Sequence, residues 1–206
     1  MKRILIVNGS LRGIDGNSFQ IAQKAKKMIE EHSDFESLVL NLAETQDWSF
    51  DPLAFLENYD AFLVVTGTYW SNIGSLLQRF AEICTSLENS KSFFGKPFAS
   101  VVTMDSVGGL QVLGQIQLIF SGLGCWMPPC SQMAISRVSE QLVAKSEEDN
   151  IDVWRLDDLK IVVENLLKAT SISVKWSVWE IEQLFVKTEN LNNHNKLLSN
   201  NIRFIN

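Results

Sequence analysis

Short apolar runs rich in Val and Ile alternate with helix-like segments along most of this chain, and that alternation constrains the fold more than any other feature. The runs are "RILIVN" (3–8), "SLVLNLA" (37–43), "AFLVVTGTY" (61–69), "GKPFASVVTMD" (95–105, opening after Pro97) and "SQMAIS" (131–136). Strands this continuously apolar are buried on both faces, as in a parallel sheet. Between them, apolar residues recur at helical spacing, for example Ile21, Ala22, Ala25, Met28 and Ile29 after the first run. Leu76, Leu77, Phe80, Ile83 and Leu87 do the same at 75–87, and Leu159, Val162, Val163, Leu166 and Leu167 at 156–169. A glycine-bounded helix is expected at 108–124. Strand–helix–strand units of this length wind right-handed and place helices on both faces of one sheet.

The expected architecture is therefore an α/β three-layer sandwich. Five parallel strands suit the flavodoxin-like order 2-1-3-4-5 better than a six-stranded dinucleotide fold. In such a sheet, ligands bind beyond the carboxyl ends of the strands where the strand order reverses, here between strands one and three. Three loops meet that point: 9–18, 67–74 and 105–111. They are also the loops richest in Gly, Ser, Thr and Asn.

The first, "NGSLRGIDGNS", offers side-chain hydrogen bonds from Ser10, Asn17 and Ser18. Gly9, Gly13 and Gly16 allow backbone N–H groups to face inward, and the helix that Asn17 or Ser18 could cap adds its positive end. Arg12 supplies a cation suited to a phosphate dianion. The segment is neither a Walker loop nor GxGxxG. Its two readings are a phosphate cradle and a glycine-rich turn that binds nothing. The second loop, "TGTYWSNIGS", sets Tyr69 and Trp70 beside small polar residues, as a flat heterocycle would need; the plainer reading puts both aromatics in the core or at an interface. In the third, "TMDSVGGLQ", Gly108 and Gly109 give a flexible turn, and Asp105 and Ser106 suit a turn and helix cap better than catalysis.

Composition narrows the chemistry. A net charge of −6 spread along the chain argues against nucleic acid. Three cysteines and two histidines, without metal-ligand spacing, argue against a metal site. The chain lacks GxSxG, a histidine near a nucleophile, and paired carboxylates at a strand end, so triad hydrolysis is set aside. Chemistry at this site would come from a cofactor. With no membrane-length apolar run and no signal-peptide pattern, the expected location is cytoplasmic.

Three segments, taken together, resemble the NADPH-dependent FMN reductase family. "ILIVNGSLRGIDGNS" is similar to its GSxRxxSxN phosphate loop, "VVTGTYWSNIGSLLQRFAE" to its ring-side T-P-x-Y-x-G-S segment, and "SVGGLQVLGQIQLIFSGLGCWMPP" to its G-G-x-x-x-L-x-Q-L segment. The resemblance covers about residues 4–130. It implies an FMN-dependent NAD(P)H oxidoreductase in which hydride passes from NADPH or NADH to the flavin and on to a small acceptor: a quinone, an azo or nitro compound, a flavin or a metal ion. Ser10, Arg12, Asn17 and Ser18, with Gly9, would bind the FMN phosphate. Thr68, Tyr69, Trp70, Ser71, Asn72 and Ile73 would line the ring and ribityl chain, with Asp105, Gly108 and Gly109 on the far side. No side chain need act as acid or base. Members commonly form homodimers or homotetramers.

The chain departs from the family pattern at Gly67 and Gly74, where proline is usual, at Ser71-Asn72 for Gly-Ser, and at Gln78 for Lys. Two other readings stay open: a flavodoxin-like FMN-binding electron carrier, and a degenerate, non-catalytic member acting through protein partners. Residues 1–170 are expected to form the FMN-binding domain. Residues 171–206 form a C-terminal extension, an amphipathic helix with Trp176, Trp179 and Phe185 followed by an Asn-rich end. Its aromatics either cap the domain or a subunit interface, or reach over a ligand pocket.

Overall fold

A computed structural model of the chain describes residues 1–45, 52–137 and 156–178. Five parallel strands, β1 (Lys2–Asn8), β2 (Phe35–Asn41), β3 (Ala61–Gly67), β4 (Phe98–Met104) and β5 (Gln132–Ser136), form one sheet in the order β2-β1-β3-β4-β5. The helices are α1 (Asn17–Glu30), the short α2 (Pro52–Leu56), α3 (Ser75–Cys84), α4 (Gly109–Gly122) and α5 (Leu159–Ala169). The fold is flavodoxin-like, and the strand order is the one expected.

Period-2 alternation divides the strand side chains between two cores. Leu5, Val7, Phe62, Val64, Phe98 and Val102 face one side and pack with Leu77 and Phe80 of α3 and Val112, Ile116 and Phe120 of α4. Ile4, Ile6, Leu63, Val65, Val101 and Ile135 face the other and pack with Ile21, Ala22, Ala25 and Ile29 of α1 and Val162, Val163 and Leu166 of α5. Each buried Leu, Ile, Val or Phe contributes roughly 1.5–3 kcal/mol from removal of apolar surface from water. Phe98 stacks on Phe120 at 5.2 Å between ring centres, and Phe62 lies 5.1 Å from Phe93. The Phe98–Phe120 contact fixes α4 against the sheet, and Phe62–Phe93 ties the segment before β4 to β3.

Four details differ from the sequence reading. β2 starts two residues earlier than expected and ends at Asn41, where the Leu42 amide bonds the Asn8 carbonyl and the Glu44 amide bonds the Asn41 carbonyl, turning the chain. β3 ends at Gly67, because Tyr69 and Asn72 then exchange both backbone hydrogen bonds and close a hairpin turn of their own. α2 was not expected; five residues are too few for helical periodicity to register. The expected tail helix does not form at 171–178, where exposed Ile172 and Val174 have no buried face to offset the low helix propensity of β-branched residues.

Met1–Lys175 form one compact unit, and Trp176–Asn206 form a second. Trp179 and Phe185, the Asn-rich end and nearly all of the connection expected at 137–154 lie outside the described residues. Among the described residues, no helix is long and apolar enough to cross a membrane, and no cluster of His, Cys, Asp or Glu could hold a metal ion.

Candidate flavin site

The loops after β1, β3 and β4 enclose a cavity of about 420 Å³, within the size range of small-molecule sites. It lies at the carboxyl ends of the strands where the order reverses. Ser10, Arg12, Asn17 and Ser18 line it from the first loop; Gly67, Thr68, Tyr69, Trp70 and Ser71 from the second; Thr103, Met104, Asp105, Ser106 and Val107 from the third.

The first loop is shaped by Asn8, the last residue of β1 and fully buried. Its side-chain amide donates to the Asn41 side-chain oxygen at 3.2 Å and to the Gly13 carbonyl at 3.4 Å, while its oxygen accepts the Ser10 amide at 3.3 Å. A buried asparagine with both ends bonded holds a loop that would otherwise lose its backbone partners to water. The loop leads into α1 through Gly16, whose extended backbone forms the N-cap without any side-chain cap. A Cβ at Gly16 would stand 2.9 Å from the Ser10 hydroxyl, so glycine is needed for this close approach.

Two expectations are corrected here. Neither Asn17 nor Ser18 caps α1; they are its first two helical residues, and Gly16 takes the N-cap position without a side-chain bond. Nor do the loop glycines turn their amides toward the cavity: those of Gly9, Gly13 and Gly16 already donate to the carbonyls of Val65, Ser10 and Gly13. The Phe19 amide likewise bonds the Gly16 carbonyl, so the donors left over are the Asn17 and Ser18 amides at the start of α1, together with the positive end of a 14-residue helix.

The hydroxyls show which protons point where. The Tyr69 hydroxyl accepts the Leu11 amide at 2.8 Å and lies 3.3 Å from the Ser10 hydroxyl. Ser10 Oγ also accepts the Arg12 amide at 3.3 Å. If the Tyr69 proton goes to Ser10, both Ser10 lone pairs are filled, and its own proton is directed toward the cavity. Likewise Thr103 donates to the Thr66 carbonyl at 3.3 Å, so Ser18 donates to Thr103 Oγ1 at 3.0 Å and stands as a fixed acceptor wall. Ser10 and Ser18 are buried, whereas Arg12 is exposed at the rim.

The ring-side loop is a two-residue hairpin turn. Tyr69 and Asn72 exchange backbone hydrogen bonds of 2.9 and 3.0 Å around Trp70 and Ser71, both left-handed at φ +53° and +60°. A turn of this kind favours Asn-Gly, because a Cβ is strained at φ above zero. Asn72 and Ile73 do not reach the cavity. Their role is support: Gln115 of α4 donates to the Asn72 side chain at 2.7 Å and accepts the Ile73 amide at 3.1 Å. Trp70, 99% exposed, is held clear of the core at the cavity edge, which removes the core from the core-or-interface reading of this residue.

Gly9, Gly108 and Gly109 also stay out of the cavity lining. Gly109 donates its amide to the Met104 sulfur at 3.3 Å. Gly108, at φ +91°, is the N-cap of α4 in place of Asp105 or Ser106, and a Cβ there would stand 2.7 Å from Ser71 Oγ and 2.9 Å from Ser71 Cα. The Asp105 carboxylate instead pairs with Arg137, beyond β5, at 3.0 Å. Thr103, Met104, Val107, Gln115 and Arg137 escaped the sequence reading. Thr103 alone left a sign there, as a polar residue at the carboxyl end of an apolar strand.

An uncapped helix start, a serine hydroxyl and a guanidinium on one wall suit a phosphate monoester; the turn and its tyrosine on the facing wall suit a planar ring. The donor set thus fits FMN. The NADPH-dependent FMN reductase family model matches residues 2–140, and the chain belongs to that family. Within the family it is an FMN-dependent oxidoreductase that uses NAD(P)H as co-substrate.

Solved structures agree on the fold. A structure of RosB with bound 8-demethyl-8-formylriboflavin-5'-phosphate superposes with a TM-score of 0.66 at 13% identity, covering 100% of this chain and 91% of that one. NADH:FMN oxidoreductase EMOB in its apo form gives 0.58 at 17% identity, covering 85% and 92%. A flavodoxin from Streptococcus pneumoniae TIGR4 gives 0.57 at 20%, covering 81% and 98%. Compared with curated protein sequences, the chain has no significant match.

Proposed function

We propose that the chain binds FMN in the cavity between its three loops and uses it to pass electrons from NAD(P)H to a small acceptor such as a quinone, an azo or nitro compound, or a free flavin. The observation that carries this reading is the convergence on one cavity of an anion-donor set from the first loop and an aromatic turn from the second. Ser10, Arg12 and the first-turn amides of α1 would hold the phosphate, with Asn17 and Ser18 beside them. Thr68, Tyr69, Trp70 and Ser71 would follow the ring and ribityl chain. Asn72, Ile73, Gly108 and Gly109 would support that wall, and Asp105 would close the far side.

When bound, FMN supplies the hydride and electron chemistry. The chain's own residues bind and orient it, and no side chain is assigned as acid or base. The open rim at Trp70 leaves room for the co-substrate and then the acceptor. Residues 1–170 are the unit this assigns to flavin binding, with 171–206 as an extension. The electron-carrier reading is weakened by Arg137, which offsets the charge of Asp105 at the cavity edge and leaves Asp15 as the other nearby acid. An anaerobic visible spectrum tests the proposal. A protein-bound FMN band bleached by NADPH and restored by a quinone supports it; a bound band that NADPH leaves unchanged favours the carrier; no uptake of FMN rejects flavin binding.

A further inference from the structure

We infer that the Met104 thioether is a modification site: hydrogen peroxide formed in the cavity oxidises it to the sulfoxide, and the ring-side wall then loosens. The source of the peroxide rests on the proposed flavin reading; the reactivity of the site does not. The chain has five methionines. Met133 is buried in one core, Met28 packs against that core and Met127 against the other, and Met1 is exposed. Met104 belongs to neither core. It ends β4, is half-buried, and lines the cavity beside Thr103 and Asp105.

The Met104 sulfur is tied instead to the start of α4, where it accepts the Gly109 amide at 3.3 Å. Gly109 is buried and is the first residue of α4, so its amide has no partner within the helix and burial denies it water. Gly108, the N-cap, supplies no side-chain cap. A Cβ at Gly109 would stand 2.8 Å from Met104 Sδ and 2.9 Å from the Ala134 Cβ, so the α4 side of the sulfur is closely packed. An oxygen atom added to the sulfur therefore goes to the cavity side.

The chemistry balances without a side-chain catalyst. Dioxygen that takes two electrons and two protons at the flavin, in place of an organic acceptor, leaves as hydrogen peroxide. Peroxide then transfers one oxygen atom to Met104: its O–O bond breaks, an S–O bond forms, the sulfur loses two electrons and water departs. The product is polar, and its sulfur, now partly positive, no longer accepts the Gly109 amide. A Cβ on Gly108 would stand 2.9 Å from Ser71 Cα, so a shift at the start of α4 passes directly to the ring-side turn. Turnover that leaks electrons to dioxygen thus lowers the hold on FMN, and enzymatic reduction of the sulfoxide restores it.

Peptide mass spectrometry of the full chain tests the inference, with hydrogen peroxide added before any FMN and Cys130→Ser removing the exposed thiol. Met104 should gain an oxygen atom several times faster than Met28, Met127 or Met133, and the thermal midpoint should fall in step. Methionine sulfoxide reductase should restore the midpoint. Met104→Leu, close in volume, should fold and keep its midpoint through the same treatment. FMN should bind the oxidised chain about 2- to 10-fold more weakly, the worth of one hydrogen bond. NADPH turnover in air, with catalase clearing the bulk solution, should oxidise Met104 ahead of the exposed Met1. Met104 that reacts no faster than Met133, or a midpoint that falls equally in Met104→Leu, overturns the site; Met1 oxidised first during turnover overturns the cavity as the source. A chain that takes up no FMN rejects the flavin reading instead, and the added-peroxide measurement still decides the site.

Discussion

The phenol oxygen of Tyr69 lies 2.8 Å from the amide nitrogen of Leu11, so the loop after β3 fastens the loop after β1 across the mouth of the cavity. Replacing Tyr69 by Phe keeps the ring and removes this acceptor. The Leu11 amide then turns to water, and the Ser10 hydroxyl loses a neighbour. Tyr69→Phe is expected to lower stability by about 0.5–1.5 kcal/mol, the net worth of one such bond. FMN affinity should fall as well, because the two walls are no longer held in register. Urea unfolding and a flavin fluorescence titration measure the two effects. Unchanged FMN affinity would show that the link matters for the fold alone.

The strained turn gives an opposite expectation. Ser71 adopts φ +60°, a conformation that glycine takes without a steric penalty. Ser71→Gly should therefore raise the thermal midpoint, with a net gain of up to about 1 kcal/mol once the added entropy of the unfolded chain is counted. Gly108→Ala should act the other way. It adds a Cβ at φ +91°, 2.9 Å from the Ser71 backbone, and the ring-side turn must shift. A melting comparison of the three proteins checks both signs; a lower midpoint for Ser71→Gly would mean the serine makes a contact worth more than the strain.

The strand order and the three loops could be read from the sequence because both rest on local patterns: buried strands are continuously apolar, and loop composition follows strand ends. What could not be read came from long-range partners. Asn8 looked like the end of an apolar run, and its role appears only when β2 brings Asn41 alongside. Gln115 and Arg137 are unremarkable polar residues in sequence, yet each fixes a residue of the site from a different element. The glycine amides were misassigned because glycine permits a turn without specifying where its N–H points. The direction was set by β3, whose Val65 carbonyl takes the Gly9 amide, and by the 3-10 turn at Gly13–Asp15, whose bonds take those of Gly13 and Gly16.

Arg12 tests the phosphate end separately from the ring. It is exposed at the rim and lines the same cavity as the Ser10 hydroxyl and the start of α1. Arg12→Ala should weaken FMN binding by about 1.5–3 kcal/mol, the range for hydrogen bonds to charged groups. Riboflavin, which has no phosphate, should bind the variant and the wild type alike. Isothermal titration with both flavins is the measurement. Equal losses for the two would move Arg12 from the phosphate to the ring or to the fold.

The buried thiols make stability pH-dependent on the alkaline side. Burial pushes the Cys84 thiol from 9.0 up to about 12, and it raises that of Cys125 as well, although the nearby Lys96 ammonium opposes the shift at Cys125. A raised thiol pKa contributes stability that is complete below pH 9 and is lost as pH climbs toward 12, because the unfolded chain ionises first. Near pH 10 the loss is roughly 1.4 kcal/mol per thiol. Lys96, lowered by its own burial, works in the opposite sense up to its ordinary 10.5. Urea midpoints at pH 8, 9 and 10 should therefore decline, and Cys84→Ala should flatten the decline by one proton while lowering the midpoint at every pH. A thiol reagent at pH 8 should find only the exposed Cys130 in the folded protein and all three cysteines after unfolding. Parallel pH slopes for the variant and the wild type would place the alkaline titration elsewhere.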